Sequence, residues 1–404
     1  MLRAEVESVS VPNKTKRLYF IDAMRAWAIL MMLQGHFIDG LLDMDFRDNS
    51  DFGYTIWKYF RGITAPVFFT VSGFIFTYLL IRVPQRGWDN PRVGKGIKRG
   101  LQLLCIGYLL RVNLFGLFQG EIYDSFYLVD VLHCIGLSLL GIVGIYLLTF
   151  KLGKWALPCV LLGTTFVLFL LEPVYKEFTY PLLPDALANY FTKSNGSVFT
   201  ILPWFGYTTL GAFLSILFTR FRNFGHLYTV AIGLCFLVGS ALIFYSSDLF
   251  HKLYTSTGIQ LFADIYFNNY LFIRLGDVFV VFALFMTFRS LMNNIVLLKI
   301  GQSTLSIYVI HFIVLYGSFT GLGLYRFFHH SLHPWVAILG AIGFMVLCSF
   351  LALKYEVEKE EIKGKIRWVS LFMKERTTSL LREFKRFLLN LLHRILRLFG
   401  LAKN

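Results

Sequence analysis

The stretch Tyr19-Phe-Ile-Asp22-Ala-Met-Arg25-Ala-Trp-Ala-Ile-Leu-Met-Met-Leu-Gln-Gly-His36-Phe-Ile-Asp-Gly-Leu-Leu42 decides the fold. A helix rises about 1.5 Å per residue, so about 20 mostly apolar residues cross a bilayer core. This run is long enough to cross, yet it carries Asp22, Arg25 and His36 among its apolar neighbours. Ionisable side chains inside a span are expensive and mark candidate functional sites. At 100° per residue, Arg25 and His36 fall within about 20° of each other, and Asp22 within about 40° of His36. All three therefore share one face, which has to look into a helix bundle. Asp22 and Arg25 are spaced to pair, which lowers the cost of burying both. His36 lies roughly 16 Å further along the axis. An imidazole there suits a general base, and an arginine fork suits phosphate or a carbonyl. A satisfied structural histidine is the plainer reading of His36, and both readings stay open at this point.

Outward from this helix the chain keeps the same character. Of 404 residues, 56% are hydrophobic and only 16% charged, with a mean hydropathy of +0.61. Soluble domains sit near 45–50% apolar and about 25% charged, so a soluble enzyme and a disordered chain are both excluded. The expected fold class is all-α: a polytopic membrane protein of about ten transmembrane helices with a C-terminal basic amphipathic helix. The candidate spans are 19–42, 62–81, 100–118, 127–149, 155–171, 198–218, 228–247, 270–288, 300–320 and 334–353. The domains expected are a cytoplasmic N-terminal segment 1–18, the membrane domain 19–353 and a cytoplasmic tail 354–404. No cleavable signal peptide is read at the start. The five cysteines lie singly in apolar runs, with neither disulfide nor metal-ligand spacing.

The basic residues test the count independently. Of 39 Lys and Arg, 29 fall in segments on the N-terminal side and seven on the other. By the positive-inside rule both termini are cytoplasmic, in keeping with an even number of spans. In the tail, Leu381, Phe384, Leu388, Leu391, Leu392, Ile395 and Leu398 recur at helical spacing among Arg382, Lys385, Arg386, Arg394 and Arg397. Such a helix is expected on an anionic inner leaflet.

Further polar residues fall inside the other spans: Arg111 and Asn113, the pairs Asp130/His133 and Arg274/Asp277, and His311. Each pair is three residues apart and shares a helix face. Interhelical ion pairing and substrate contact weigh about equally for both pairs, and a structural hydrogen bond is the default reading of His311. The inner segment between the second and third spans is cationic, with Arg82, Arg86, Arg92, Lys95, Lys98 and Arg99. The outer segment 172–197 mixes Tyr175, Phe178, Tyr180, Tyr190 and Phe191 with Glu172, Glu177 and Asp185, a composition suited to sugar rings or to interfacial anchoring.

Taken in order, these stretches resemble a family. Asp22-Ala-Met-Arg25 followed by His36 is similar to the opening motif of the transmembrane acyltransferases. Ala65-Pro66-Val-Phe68-Phe69-Thr-Val-Ser72-Gly73, Val131-Leu-His133-Cys-Ile135-Gly136-Leu-Ser138-Leu, Leu202-Pro203-Trp204-Phe205-Gly206 and Gly301-Gln-Ser303-Thr-Leu305-Ser-Ile-Tyr308-Val-Ile-His311 continue the resemblance. The heparan-alpha-glucosaminide N-acetyltransferase-like group is the nearest, with the acyltransferase-3 family as the near alternative. At the place of His133 that group often has glutamine.

The resemblance implies an acetyl-CoA-dependent N- or O-acetyltransferase acting in cell-envelope glycan acetylation. Acetyl-CoA enters as the acyl donor from the cytoplasm. Its phosphates meet Arg92, Lys95, Lys98 and Arg99, its pantetheine arm passes Ser72 and Arg25, and its thioester sits near His36. His36, with Arg25 and Asp22, either deprotonates the acceptor or is acetylated first. Asp130, His133, Arg274, Asp277, Trp204 and His311 face the acceptor, an extracytoplasmic sugar or glycan. The setting implied is a bacterial inner membrane, with membrane lipid as a partner, nucleic acid not expected, no metal, and a homodimer left open. The rival from another class is an ion-coupled transporter or flippase with Asp22, Arg25 and His36 as a proton relay. It is disfavoured because the paired, Gly/Pro-broken spans of such proteins are not read in this chain.

Overall fold

The computed structural model describes residues 18–398, with side chains after residue 365 at scattered positions only. The expected segment 1–18 lies almost wholly outside the described residues. The helices used below are α1 (Tyr19–Leu41), α2 (Phe52–Ile81), α3 (Pro91–Arg111), α4 (Val131–Thr149), α5 (Ala156–Leu170), α6 (Ile201–Arg220), α7 (Leu227–Thr257), α8 (Tyr270–Thr287), α9 (Ile295–Gln302), α10 (Thr304–Tyr316) and α11 (Pro334–Leu398). Among the described residues there is no strand, only two isolated bridges, Leu42 with Leu332 and Asn113 with Phe319.

The chain is an all-α, multi-pass membrane protein. Among the described residues six helices are long and apolar enough to cross a bilayer, and α9 with α10 makes a seventh if the bent pair counts as one span. Helices also occupy the other expected positions, α1, α3 and α5. They stay below that standard because α1 carries a polar face, α3 opens with cationic turns, and α5 has 15 residues.

Three boundaries differ from expectation for identifiable reasons. Helix α2 starts ten residues early, at Phe52, because the Asp51 carboxylate caps the Tyr54 amide at 2.6 Å. Arg61, read as part of an outer loop, is thus a helical residue. Helix α3 also starts early, with Asn90 as its cap and Pro91 in its first turn, and it ends at Arg111. Arg92, Lys95, Lys98 and Arg99 are therefore carried on a helix, not in a loop. The segment expected as one span over 300–320 is broken at Ser303, where α9 and α10 meet at 72°.

Glycines set the helix crossings. A Cβ on Gly73 would strike the Thr208 carbonyl and one on Gly211 the Thr70 carbonyl, so α2 and α6 touch backbone to backbone. Gly100 and Gly136 play the same part between α3 and α4, and Gly239 and Gly276 between α7 and α8. A compact apolar cluster of Leu80, Val93, Ile142, Leu161 and Ile216 fills the end away from His36. There Asn90 ties the turn down, donating to the Leu80 carbonyl (2.9 Å) and the Tyr146 hydroxyl (3.2 Å).

The chain divides into two units between Ser349 and Phe350. From Lys354 the second is a polar helix laced by ion pairs, Lys359 to Glu356 (3.0 Å) and Lys365 to Glu361 (2.7 Å). Arg382, Lys385 and Arg386 are exposed in it. The side chains of the expected apolar stripe, Leu381 to Leu398, lie outside the described residues.

Candidate active site

The polar face of α1 runs along the broken pair α9–α10. At one end Gly301 presses on the backbone of Asp22, where a Cβ would collide with the Asp22 carbonyl. One turn on, Arg25 pairs with Asp22 (3.6 Å) and donates from Nη2 to Thr304 Oγ1 (3.1 Å). Towards the other end His36 meets α10. Its Nδ1 shares a hydrogen bond of 3.1 Å with the Tyr316 hydroxyl, and its ring stacks on His311 with centroids 5.5 Å apart. Tyr308 packs edge-on against His311 at 4.8 Å. Asp22, Arg25 and His36 do share one face, which runs along α9 and α10 and borders open space at His36.

Two cavities meet at His36. The first, about 320 Å³, is polar, with Arg111, Asn113, Asp130, Tyr308, Tyr316 and Ser318 in its wall. The second, about 260 Å³, is mainly apolar, with Met31, Met32, Ala65, Phe68, Phe69 and Trp204 beside Arg61 and Thr64. His36, Val131, Val198 and Phe199 line both and form the wall between them.

In the polar cavity Arg111 and Asp130 form a bidentate pair, Nε to Oδ2 at 2.6 Å and Nη2 to Oδ1 at 2.7 Å. Both side chains are nearly buried, and removing one partner of such a pair costs about 3–5 kcal/mol. The remaining guanidinium nitrogen, Nη1, donates to the Ser125 carbonyl (2.8 Å). A loop with left-handed φ at Gly317, Phe319 and Gly321 closes the cavity. It is held to the end of α3 by Phe319 donating to the Val112 carbonyl (3.1 Å) and accepting from the Leu114 amide (2.9 Å).

In the apolar cavity Arg61 is paired with Asp39, which stands one turn beyond His36 on α1. Trp204 stacks on Phe69 at 5.2 Å, and its indole N–H is buried with no acceptor among the described residues.

The other expected residues lie outside these cavities. His133 Nδ1 accepts the Asp130 amide at 3.0 Å and completes a capping box for α4, while its ring is wedged against Gly107 and Tyr108. Arg274 and Asp277 pair at 2.9 Å beside α2. Tyr59 donates to Asp277 (2.6 Å), and the Arg274 guanidinium lies 4.5 Å from the Tyr59 ring and against Gly62. Ser72 donates to the Phe68 carbonyl of its own helix (2.7 Å). Arg92, Lys95, Lys98 and Arg99 lie on the first turns of α3, away from His36. Of the outer segment, Tyr190 bonds Tyr108 (2.8 Å) and Glu172 accepts from Tyr270 (3.2 Å). Val198 and Phe199, just after it, reach the cavities.

Arg61, Tyr316 and the Arg111–Asp130 pairing are the features that sequence reading did not assign to the site. The cap residue Asp51 was the available signal for Arg61. The other two join residues of different helices and leave no local trace.

A multi-pass helical bundle with a histidine between a polar and an apolar cavity has the makings of a group-transfer enzyme that works inside a membrane. Residues 17–252 match the family described as heparan-alpha-glucosaminide N-acetyltransferase, catalytic. This stretch exceeds half of the chain, which therefore belongs to that family of membrane acetyltransferases. The resemblance read from the motifs is thereby borne out for this group. The matched stretch holds His36, Arg61, Arg111, Asp130 and Trp204, while Tyr308, His311 and Tyr316 lie beyond it. A comparison with curated proteins found no match.

Proposed function

We propose that this protein transfers an acetyl group from acetyl-CoA to an amine or hydroxyl of an extracytoplasmic sugar or glycan, with His36 as the base. The observation that carries the reading is the position of His36 in the wall shared by the two cavities. The apolar cavity suits the thioester end of the donor, with Met31, Met32, Phe68 and the Trp204 ring as its wall. At about 260 Å³ it does not take a nucleotide as well. The nucleotide phosphates are assigned to the cationic first turns of α3. The polar cavity suits one sugar ring, with Asp130, Arg111 and Asn113 as hydrogen-bonding groups.

Tyr316 fixes Nδ1, and with Nδ1–H donating to the Tyr316 oxygen, Nε2 carries the free lone pair. Nε2 then takes the acceptor's proton as the acceptor nitrogen or oxygen bonds to the acetyl carbon. The C–S bond breaks, and His36 returns the proton to the departing thiolate. The variant route, an acetyl group carried on Nε2, uses the same residues in two steps. The topology that goes with this reading is ten crossings with both termini in the cytoplasm of a bacterial cell and the basic tail on the inner leaflet.

The test is radiolabelled acetyl-CoA with the purified protein in nanodiscs, with and without amino sugars. Label transferred to the sugar, and lost in His36→Ala, supports the reading. Label held on the protein without a sugar selects the carried-acetyl route. Failure to bind or turn over acetyl-CoA overturns it in favour of the second reading, ion-coupled transport. That second reading draws on the bend between α9 and α10, because broken spans beside a polar face are a habit of transporters.

A further inference from the structure

A third cavity, about 590 Å³, lies at the other end of the bundle and has no polar group in its wall apart from the Cys235 thiol. It opens because α7 packs along α8 rather than along its sequence neighbour α6. Gly239 and Gly276 bring α7 and α8 into backbone contact at one level. Towards the start of α7 the space between α7, α6 and α8 is walled by Phe213, Phe218, Ala231, Leu234 and Phe282 without being filled. This apolar cleft is open along one side, where its lining residues Phe221, Phe224, Val230 and Leu234 are exposed. Water does not fill it, since it offers no hydrogen-bonding partners. In a membrane the occupant at hand is a hydrocarbon chain.

The rim supplies the second half of the argument. Phe221 and Phe224 line the cavity at its mouth, with the exposed Arg222 between them. Across the mouth, three residues after the lining Met286, stands the exposed Arg289. Its guanidinium lies 4.2 Å from the ring of Tyr228, which packs edge-on against the lining residues Phe20 and Phe218. Arg289 donates to the Met286 carbonyl (2.9 Å), and among the described residues no carboxylate pairs with it or with Arg222. The distribution of Lys and Arg reads this end as cytoplasmic, the side where anionic lipid gathers.

The geometry points to a binding site for one anionic glycerophospholipid, with an acyl chain in the cavity between α6, α7 and α8 and its phosphate on Arg289 and Arg222. The inference is independent of the acetyl-transfer reading, because the site shares no residue with the His36 cavities. It is tested by native mass spectrometry of the protein released from nanodiscs of equal phosphatidylglycerol and phosphatidylcholine. The wild type is expected to retain one phosphatidylglycerol. Arg289→Gln should lower its preference over phosphatidylcholine about fivefold, the worth of one cationic side chain near an anionic surface. Ala231→Trp, whose ring projects into the space an acyl chain would take, should lower the amount of lipid retained. If that variant fails to fold, the exposed Arg289 substitution still decides. Equal retention of the two lipids by the wild type, an unchanged preference in Arg289→Gln, or a fatty acid or acyl-CoA in place of a phospholipid would each overturn the assignment.

Discussion

The two ends of α1 carry similar chemistry and are built in opposite ways. At the Asp22 end every charge is engaged: Arg25 has Asp22 and Thr304, and Gly301 leaves no room between α9 and the α1 backbone. At the His36 end the same helix face opens into two cavities. A buried ion pair in a filled interface fixes how helices dock, whereas a buried base beside open space can meet a reactant. The contrast teaches that polar residues in one span need not share one role, even when they share one face.

The strongest way to break this contrast is at its open end. His36→Ala should lower acetyl transfer by about 10²–10⁴-fold, the usual worth of a general base, while the melting temperature in detergent barely moves. A variant that keeps more than a tenth of the rate removes His36 from the chemistry. Asp130→Ala comes next. It strands the buried Arg111 and takes away the cap of α4, and should cost about 3–5 kcal/mol in unfolding experiments. A loss below about 1 kcal/mol would mean that water reaches Arg111 freely.

The closed end is probed by Gly301→Ala. Its new methyl meets the Asp22 carbonyl, so stability should fall by about 1–3 kcal/mol with the rate of the folded fraction unchanged. A rate that falls further than the folded fraction would erase the distinction between the two ends. Tyr316→Phe removes one hydrogen bond from His36 and should slow transfer about tenfold, with a displaced pH profile; an unmoved profile would leave Tyr316 a packing residue. The smallest effect is expected from Thr304→Ala, about 1 kcal/mol of stability and less than a twofold change in rate. A larger change in rate would draw Arg25 into the reaction.

How legible all this was depended on range. The shared face of Asp22, Arg25 and His36 follows from one helical period, and the structure keeps it. The membrane class follows from composition alone. Arg61 was hidden because the first turns of α2, with Trp57, Lys58 and Tyr59 among them, have an interfacial composition and read as a loop. Asp130 and His133 were paired correctly in space, yet the contact is a helix cap, and the charge of Asp130 is spent on Arg111, nineteen residues away. His36 with Tyr316 is a contact across 280 residues, which no local pattern announces. The break at Ser303 was missed for a different reason: Gln302, Ser303 and Thr304 sit in a run that is apolar on average, and hydropathy does not register a change of axis.

The thin wall at His36 has one more consequence. Among the described residues Val131, Val198 and Phe199 are the other side chains common to both cavities, so they serve as walls of two chambers at once. A reaction centre placed there must let atoms cross while keeping bulk water from following them. Phe199 has the largest side chain of the three, and a small residue in its place would merge the chambers into one channel. The same residue that shapes the site thus also keeps its two chambers apart.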